Sequence, residues 1–392
     1  MQPATGKRKK TLKMATGFGF ISTAPMHAQR TGAVAVTLEA GTKILVTGGT
    51  LDGPVSADLY DSATGAWTAS QMTNDRFGHT ATLLPSGHVL VIGGDNQTRS
   101  TAEVYDPATN AWQKVFNNLT APRRWHTATL LPNGTVLVTG GVGVDGDGFG
   151  ALASAEIFNP LADPVNGYWN IVPSMSVARA NHSATALPDG TVLVAGGSNG
   201  NLLGTAELFD PAVREWRPTA SLNAARSSHT ATLLKLSLTG NFVVLVAGGV
   251  TAGNTTVSEQ YQPNSLVLGT EPNLGPSGAG AVGASWIKVG AMNSHRTSHT
   301  ATALPVLGVP TETRQVLVTG GLDPTSQLPT YKTTEIYDAH TLQWRAAGDL
   351  TVPRSLHTAA LLNTGKVLIA GGEDASAEIG SRATTSATAS GS

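Results

Sequence analysis

A pair of glycines closing an apolar run recurs seven times. The copies are Ile44–Gly49, Val89–Gly94, Val136–Gly141, Val192–Gly197, Val243–Gly249, Val316–Gly321 and Val367–Gly372. The second glycines stand 45 to 72 residues apart. Such spacing marks a fold assembled from copies of one small unit, none of which buries its apolar face alone.

Other residues repeat in step with the glycines. An Arg-x-x-His-Thr/Ser-Ala run precedes six of the pairs, at Arg76–Ala81, Arg123–Ala128, Arg179–Ala184, Arg226–Ala231, Arg296–Ala301 and Arg354–Ala359. The first copy keeps Arg30 and has Ala33 in place of His. After each pair comes an acid: Asp58, Glu103, Glu156, Glu207, Glu259, Glu335 or Glu378. In six copies a Trp follows: Trp67, Trp112, Trp169, Trp216, Trp286 and Trp344.

Each unit reads as four strands. Strand A is the His-Thr-Ala run and strand B the apolar run into Gly-Gly. Strand C carries the acid and strand D opens at the Trp. Pro85-Ser86-Gly87, Pro132-Asn133-Gly134 and Pro188-Asp189-Gly190 supply hairpin turns between A and B. Strand B is apolar nearly throughout, as in a strand covered on both faces. Helical periodicity is absent.

A unit of about 50 residues with Gly-Gly after strand B and Trp opening strand D resembles the Kelch repeat. The resemblance covers nearly the whole chain. It implies an all-β fold: a seven-bladed β-propeller with four antiparallel strands per blade, arranged around a channel. The seventh copy lacks a Trp, and Phe18–Met26 precedes Arg30 much as Trp67–Met72 precedes Arg76. The N-terminal strand is therefore expected to complete the C-terminal blade and remove two open sheet edges. The organisation expected is a basic tail over 1–16, one propeller over 17–380 and a Ser/Thr/Ala/Gly-rich tail over 381–392.

Charged residues make up only 13% of the chain, and Lys+Arg 25 against Asp+Glu 26 gives a net charge of −1. Nucleic-acid binding is not expected without a basic excess. No apolar run reaches the 18 residues of a membrane span. With no Cys, disulfides, thiolate metal sites and cysteine nucleophiles are excluded. The basic start followed by Met14–Ala28 has some features of a signal peptide, but cleavage after Ala28 would remove the closing strand. An extracellular or periplasmic monomer is expected, with the cytoplasm as the alternative.

The repeated residues read as structural. Arg76, Arg123, Arg179, Arg226, Arg296 and Arg354, with Arg30, would pair with the seven acids rather than form an anion funnel. One His per blade spreads the imidazoles around the ring, whereas metal ligands must converge on one ion. The repeat Trp residues are expected in the core.

Departures from the repeat carry the functional reading. Strand alternation puts the D–A and B–C loops on one face, where Kelch propellers commonly bind partners. Phe77, Arg124, Trp125, Asn181, His295 and Leu356 vary between copies there, with Asp95, Asn96 and Asp147 on B–C loops. Trp125 is the one Trp outside the repeat position. An exposed Trp beside a spare Arg suits a binding hot spot. Asp145-Gly146-Asp147-Gly148 has the D-x-D-G spacing that calcium loops use but lacks the 12-residue frame and its terminal Glu, so no metal site is expected and Asp145 and Asp147 are only a weak calcium candidate. Copy five carries a Gly/Pro-rich insertion, Gln262–Ser285, expected on the opposite face.

One enzyme branch with a Kelch-type propeller is the galactose oxidase group, which uses copper and a Tyr–Cys thioether. Without Cys that chemistry is closed, and none of the six Tyr is followed by His. No cofactor is expected. The expectation is a non-catalytic propeller recognising a protein segment or glycan; the alternative is a carbohydrate-active enzyme at the channel mouth.

Overall fold

The computed structural model describes residues 18–49, 56–95, 99–145, 148–236, 241–263, 283–306, 309–325 and 331–382. Among these there is no α-helix, and the strand pairings group into antiparallel units of four. The first unit runs Val34–Leu38, Lys43–Thr47, Ala57–Asp61 and Trp67–Ser70. The second runs Thr80–Leu83, Val89–Ile92, Ala102–Asp106 and Ala111–Lys114, and five further units repeat the order. The A strands touch one another in sequence, and that of the last unit touches that of the first. The A strands therefore form the innermost ring.

Hydrophobic burial explains the layering. All four residues of strand B in the second, third, fourth and seventh units are buried. Each B strand lies between its own A and C strands and between two neighbouring blades. The apolar clusters accordingly span adjacent units; one joins Leu90 and Ile92 to Val136, Val138 and Phe158. Strand D is the outermost. Trp67 and Trp286 are buried, but Trp112, Trp169, Trp216 and Trp344 are only half-buried. The expectation of six core tryptophans thus needs correction, because an outer strand covers one ring face and leaves the other near solvent. Each indole packs on the aromatic residue opposite it in strand C, with centroids 4.9 Å apart in Tyr105–Trp112 and 5.2 Å in Tyr337–Trp344.

The closing unit is built from both ends of the chain. Phe18–Thr23 pairs antiparallel with Ala377–Arg382, next to Val367–Ala370 and Thr358–Leu361. Phe20 lies opposite Gly380, at the register where other units place Trp opposite an aromatic residue. A Cβ on Gly380 would fall 2.5 Å from both Phe18 and Phe20. Glycine at that point makes room for the two phenylalanines that replace the missing Trp.

Candidate functional site at the channel mouth

The seven arginines and seven acids pair one to one. Arg30–Asp58 is 2.7 Å, Arg76–Glu103 2.8 Å, Arg123–Glu156 2.9 Å, Arg179–Glu207 3.0 Å, Arg226–Glu259 2.9 Å, Arg296–Glu335 2.8 Å and Arg354–Glu378 2.9 Å. Every Arg in this set is buried, and each also donates to the first carbonyl of a Gly-Gly pair, as Arg179 does to Gly196 at 2.7 Å. The acids accept loop amides as well; Glu156 takes those of Thr120 and Ala121. These pairs fasten the D–A crossings and leave little charge for a ligand.

The repeated histidines lie beneath the same face. Each sets Nε2 against a hydroxyl on the previous blade, as in His79–Thr47 at 2.9 Å, His126–Thr80 at 2.9 Å and His229–Ser183 at 2.9 Å. Burial, with the nearby arginines adding to it, holds His79, His182, His229, His299 and His357 down at about 3. His126 is driven well below its ordinary value for the same reason. These are neutral packing groups at ordinary pH. No group of three or more metal-binding side chains occurs among the described residues.

Above the Arg–acid pairs lies a ring that the sequence did not announce. The residue before each His, or before Ala33 in the first copy, has left-handed backbone. Gly32, Gly78, Trp125, Asn181, Ser228, Ser298 and Leu356 have φ of 72°, 69°, 53°, 51°, 53°, 54° and 50°. Their amides reach across the blades. Gly32 donates to the carbonyl of Leu356 (2.7 Å), Trp125 to Gly78 (2.8 Å), Asn181 to Trp125 (3.2 Å), Ser228 to Asn181 (2.9 Å) and Leu356 to Ser298 (2.9 Å). Glycine and asparagine adopt this backbone readily; for a bulky side chain it costs about 1 kcal/mol or more. Trp125 and Leu356 sit there nonetheless, at the inner rim of the D–A/B–C face.

The structure brings Arg124 and Trp125 together and sets the Phe77 ring one blade back, over the first unit. The Phe77 ring lies over Gly32, where a Cβ would meet it at 2.6 Å, and the Trp125 indole over Gly78 at 2.9 Å. Trp125 is half-buried rather than exposed, because the Arg124 guanidinium stacks on it with its carbon 4.0 Å from the ring centroid. Asn181 is its neighbour in the left-handed ring. His295 is placed differently: it is buried, with Nε2 3.0 Å from the carbonyl of Gly249, and holds a B–C loop. Asn96 and Asp147 lie outside the described residues, as do the Asp145 side chain and residues 264–282 of the insertion.

Three contributors were missed as members of this site. Asp95 pairs with Arg124 and lies 3.9 Å from Arg99. Val142–Asp145 and Gly148–Ala151 form a hairpin that pairs with Arg123–Arg124 and brings in Phe149. Phe149 is 57% exposed, and its ring lies 5.3 Å from the Arg99 guanidinium and 5.9 Å from that of Arg124. Gly143 is required in that hairpin, since a Cβ there would fall 1.9 Å from the carbonyl of Pro122.

The comparisons with known proteins agree with this architecture. Residues 31–249 match the KLHDC2/KLHL20/DRC7 Kelch-repeats domain. The chain belongs to the Kelch-repeat family. Among solved structures it is similar to a fungal alcohol oxidase of the AA5 family in complex with copper, at 17% identity and a TM-score of 0.68. That match covers 94% of this chain and 76% of the oxidase, and at this identity it speaks for the fold alone. No curated protein matches. The side chains of this Kelch propeller do not fit the thioether-linked copper centre of the galactose oxidase group, because it has no Cys. Its six repeat histidines are each engaged with a hydroxyl on a neighbouring blade.

Proposed function

We propose that this chain is a non-catalytic binding propeller that receives a protein segment across the D–A/B–C face. Phe77, Arg124, Trp125 and Phe149 form its anchoring side, and Asn181, Ser228 and Ser298 its polar side. The observation that carries this reading is Trp125 in left-handed backbone at the channel rim. A large aromatic kept in an unfavourable conformation at a functional surface is the pattern expected when strain serves binding. Kelch folds support a binding or scaffold role in general. A glycan is the second reading, favoured by the exposed ring of Phe149. Against it, the guanidinium of Arg124 already stacks on the indole of Trp125, which a sugar would need to displace. An extracellular or periplasmic setting accords with the absence of Cys.

A combined peptide and glycan array, read with wild type and Trp125→Ala, tests this. Peptide hits lost in the variant are expected. Hits indifferent to the substitution would remove the site, and chemical conversion of a bound sugar would overturn the non-catalytic reading.

A further inference from the structure

We infer that Asp95 is the positioning residue of the mouth, holding Arg124 over Trp125 while it ties the neighbouring loop in place. This rests on the binding reading above and assigns the control of its geometry. Asp95 closes strand B of the second unit, just after Gly93-Gly94, and makes connections to several segments. Its amide donates to the carbonyl of Phe77 at 2.8 Å, which fixes the loop carrying that ring. Its carboxylate accepts from Nη1 of Arg124 and faces Nη2 of Arg99 at 3.9 Å.

Both guanidiniums are held in an orientation they would not choose in water. The Nε atoms of Arg99 and Arg124 are buried without a hydrogen-bond partner. Both guanidiniums lie near aromatic rings, Arg99 by Phe149 and Arg124 between Trp125 and Phe149. A buried N–H without an acceptor is costly, and a cation above a ring returns only part of that cost at a half-exposed site. The charge-assisted bond to Asp95 supplies the remaining bias. The carbonyl of Arg99 also accepts the amide of Arg123 at 2.8 Å, so the Arg99 segment is fastened to the same loop. Asp95 therefore acts on a ligand through Arg124, Trp125 and Phe149, and need not touch it.

The test compares wild type with Asp95→Asn and Asp95→Glu in the full chain. The first readout is the Nε–H resonance of Arg124, assigned with Arg124→Lys. In wild type it should be displaced by the indole ring current and slow to exchange. Asp95→Asn should return it toward the free-arginine position with about tenfold faster exchange, and Asp95→Glu should restore much of the wild-type behaviour. Melting should move by no more than about 3 °C, so that loss of fold is not mistaken for loss of position. The second readout is the affinity for whichever array peptide wild type captures, expected to weaken about tenfold in Asp95→Asn and recover in Asp95→Glu. An Arg124 resonance unmoved by Asp95→Asn would overturn the inference, as would tighter capture by that variant. If wild type captures no peptide, the binding reading fails and the Arg124 resonance still decides the role of Asp95.

Discussion

The ring of Arg–acid pairs and the ring of left-handed residues lie two positions apart in the repeat, yet they tolerate different things. In the first, all seven copies use Arg, and the partner is Glu in six and Asp once. In the second, seven copies hold Gly, Gly, Trp, Asn, Ser, Ser and Leu. The reason is environmental. Each Arg is buried and must satisfy its donors on a carboxylate and a carbonyl, so no other side chain serves. At the mouth the backbone supplies the cross-blade bonds, and the side chains are released for other purposes. The variation is also uneven. Arg124, Trp125 and Phe149 gather at the second and third units with the Phe77 ring beside them over the first, while Asn181, Ser228 and Ser298 follow over the fourth to sixth. The lesson is to take structure from what the copies share and function from where one side of the ring departs.

The comparison breaks most visibly if the lower ring is dispensable. Arg226→Ala should destabilise the protein by about 3–5 kcal/mol, since it leaves Glu259 buried without its counter-charge. Arg124→Ala, at the half-exposed mouth, should cost about 1 kcal/mol or less. Equal losses in chemical denaturation would erase the distinction between the rings.

Acidity should act on the buried histidines between the blades. Five repeat histidines sit at about 3 in the folded chain, and the unfolded chain protonates them near 6.5. Between these values the unfolded state binds more protons. Their contribution is therefore complete above about pH 6.5 and lost as the pH falls toward 3. The urea midpoint should drop steadily over that window. In His229→Gln the slope should shrink by about one proton, and an unchanged slope would show that this imidazole is not held neutral.

Much of this could be read from residues alone. The Gly-Gly spacing implied the repeat, and the matching sets of Arg and acid implied their pairing. Phe18–Thr23 was legible as the closing strand because it stands before Arg30 as the Trp strands stand before theirs. The hairpin around Phe149 was not legible: its glycines break the alternation that marks a strand, and its pairing partner is only two residues long. Asp95 was visible as a loop acid, but its link to Arg124 spans 29 positions and depends on two blades meeting. The indole of Trp125 looked exposed because nothing in the sequence shows a guanidinium folding back over it. The left-handed ring had no signal of its own, since two glycines and an asparagine among seven positions were masked by Trp and Leu.

The central claim is that Trp125 is kept for binding at the expense of stability, and one paired measurement on Trp125→Asn tests it most directly. Asparagine is at home in left-handed backbone, as Asn181 is in the next unit. The variant should melt at or slightly above wild type, by up to about 1 kcal/mol, and should lose at least about tenfold in affinity for the captured peptide. A variant that melts lower while binding as wild type does would show instead that Trp125 is ordinary packing, and would contradict the account.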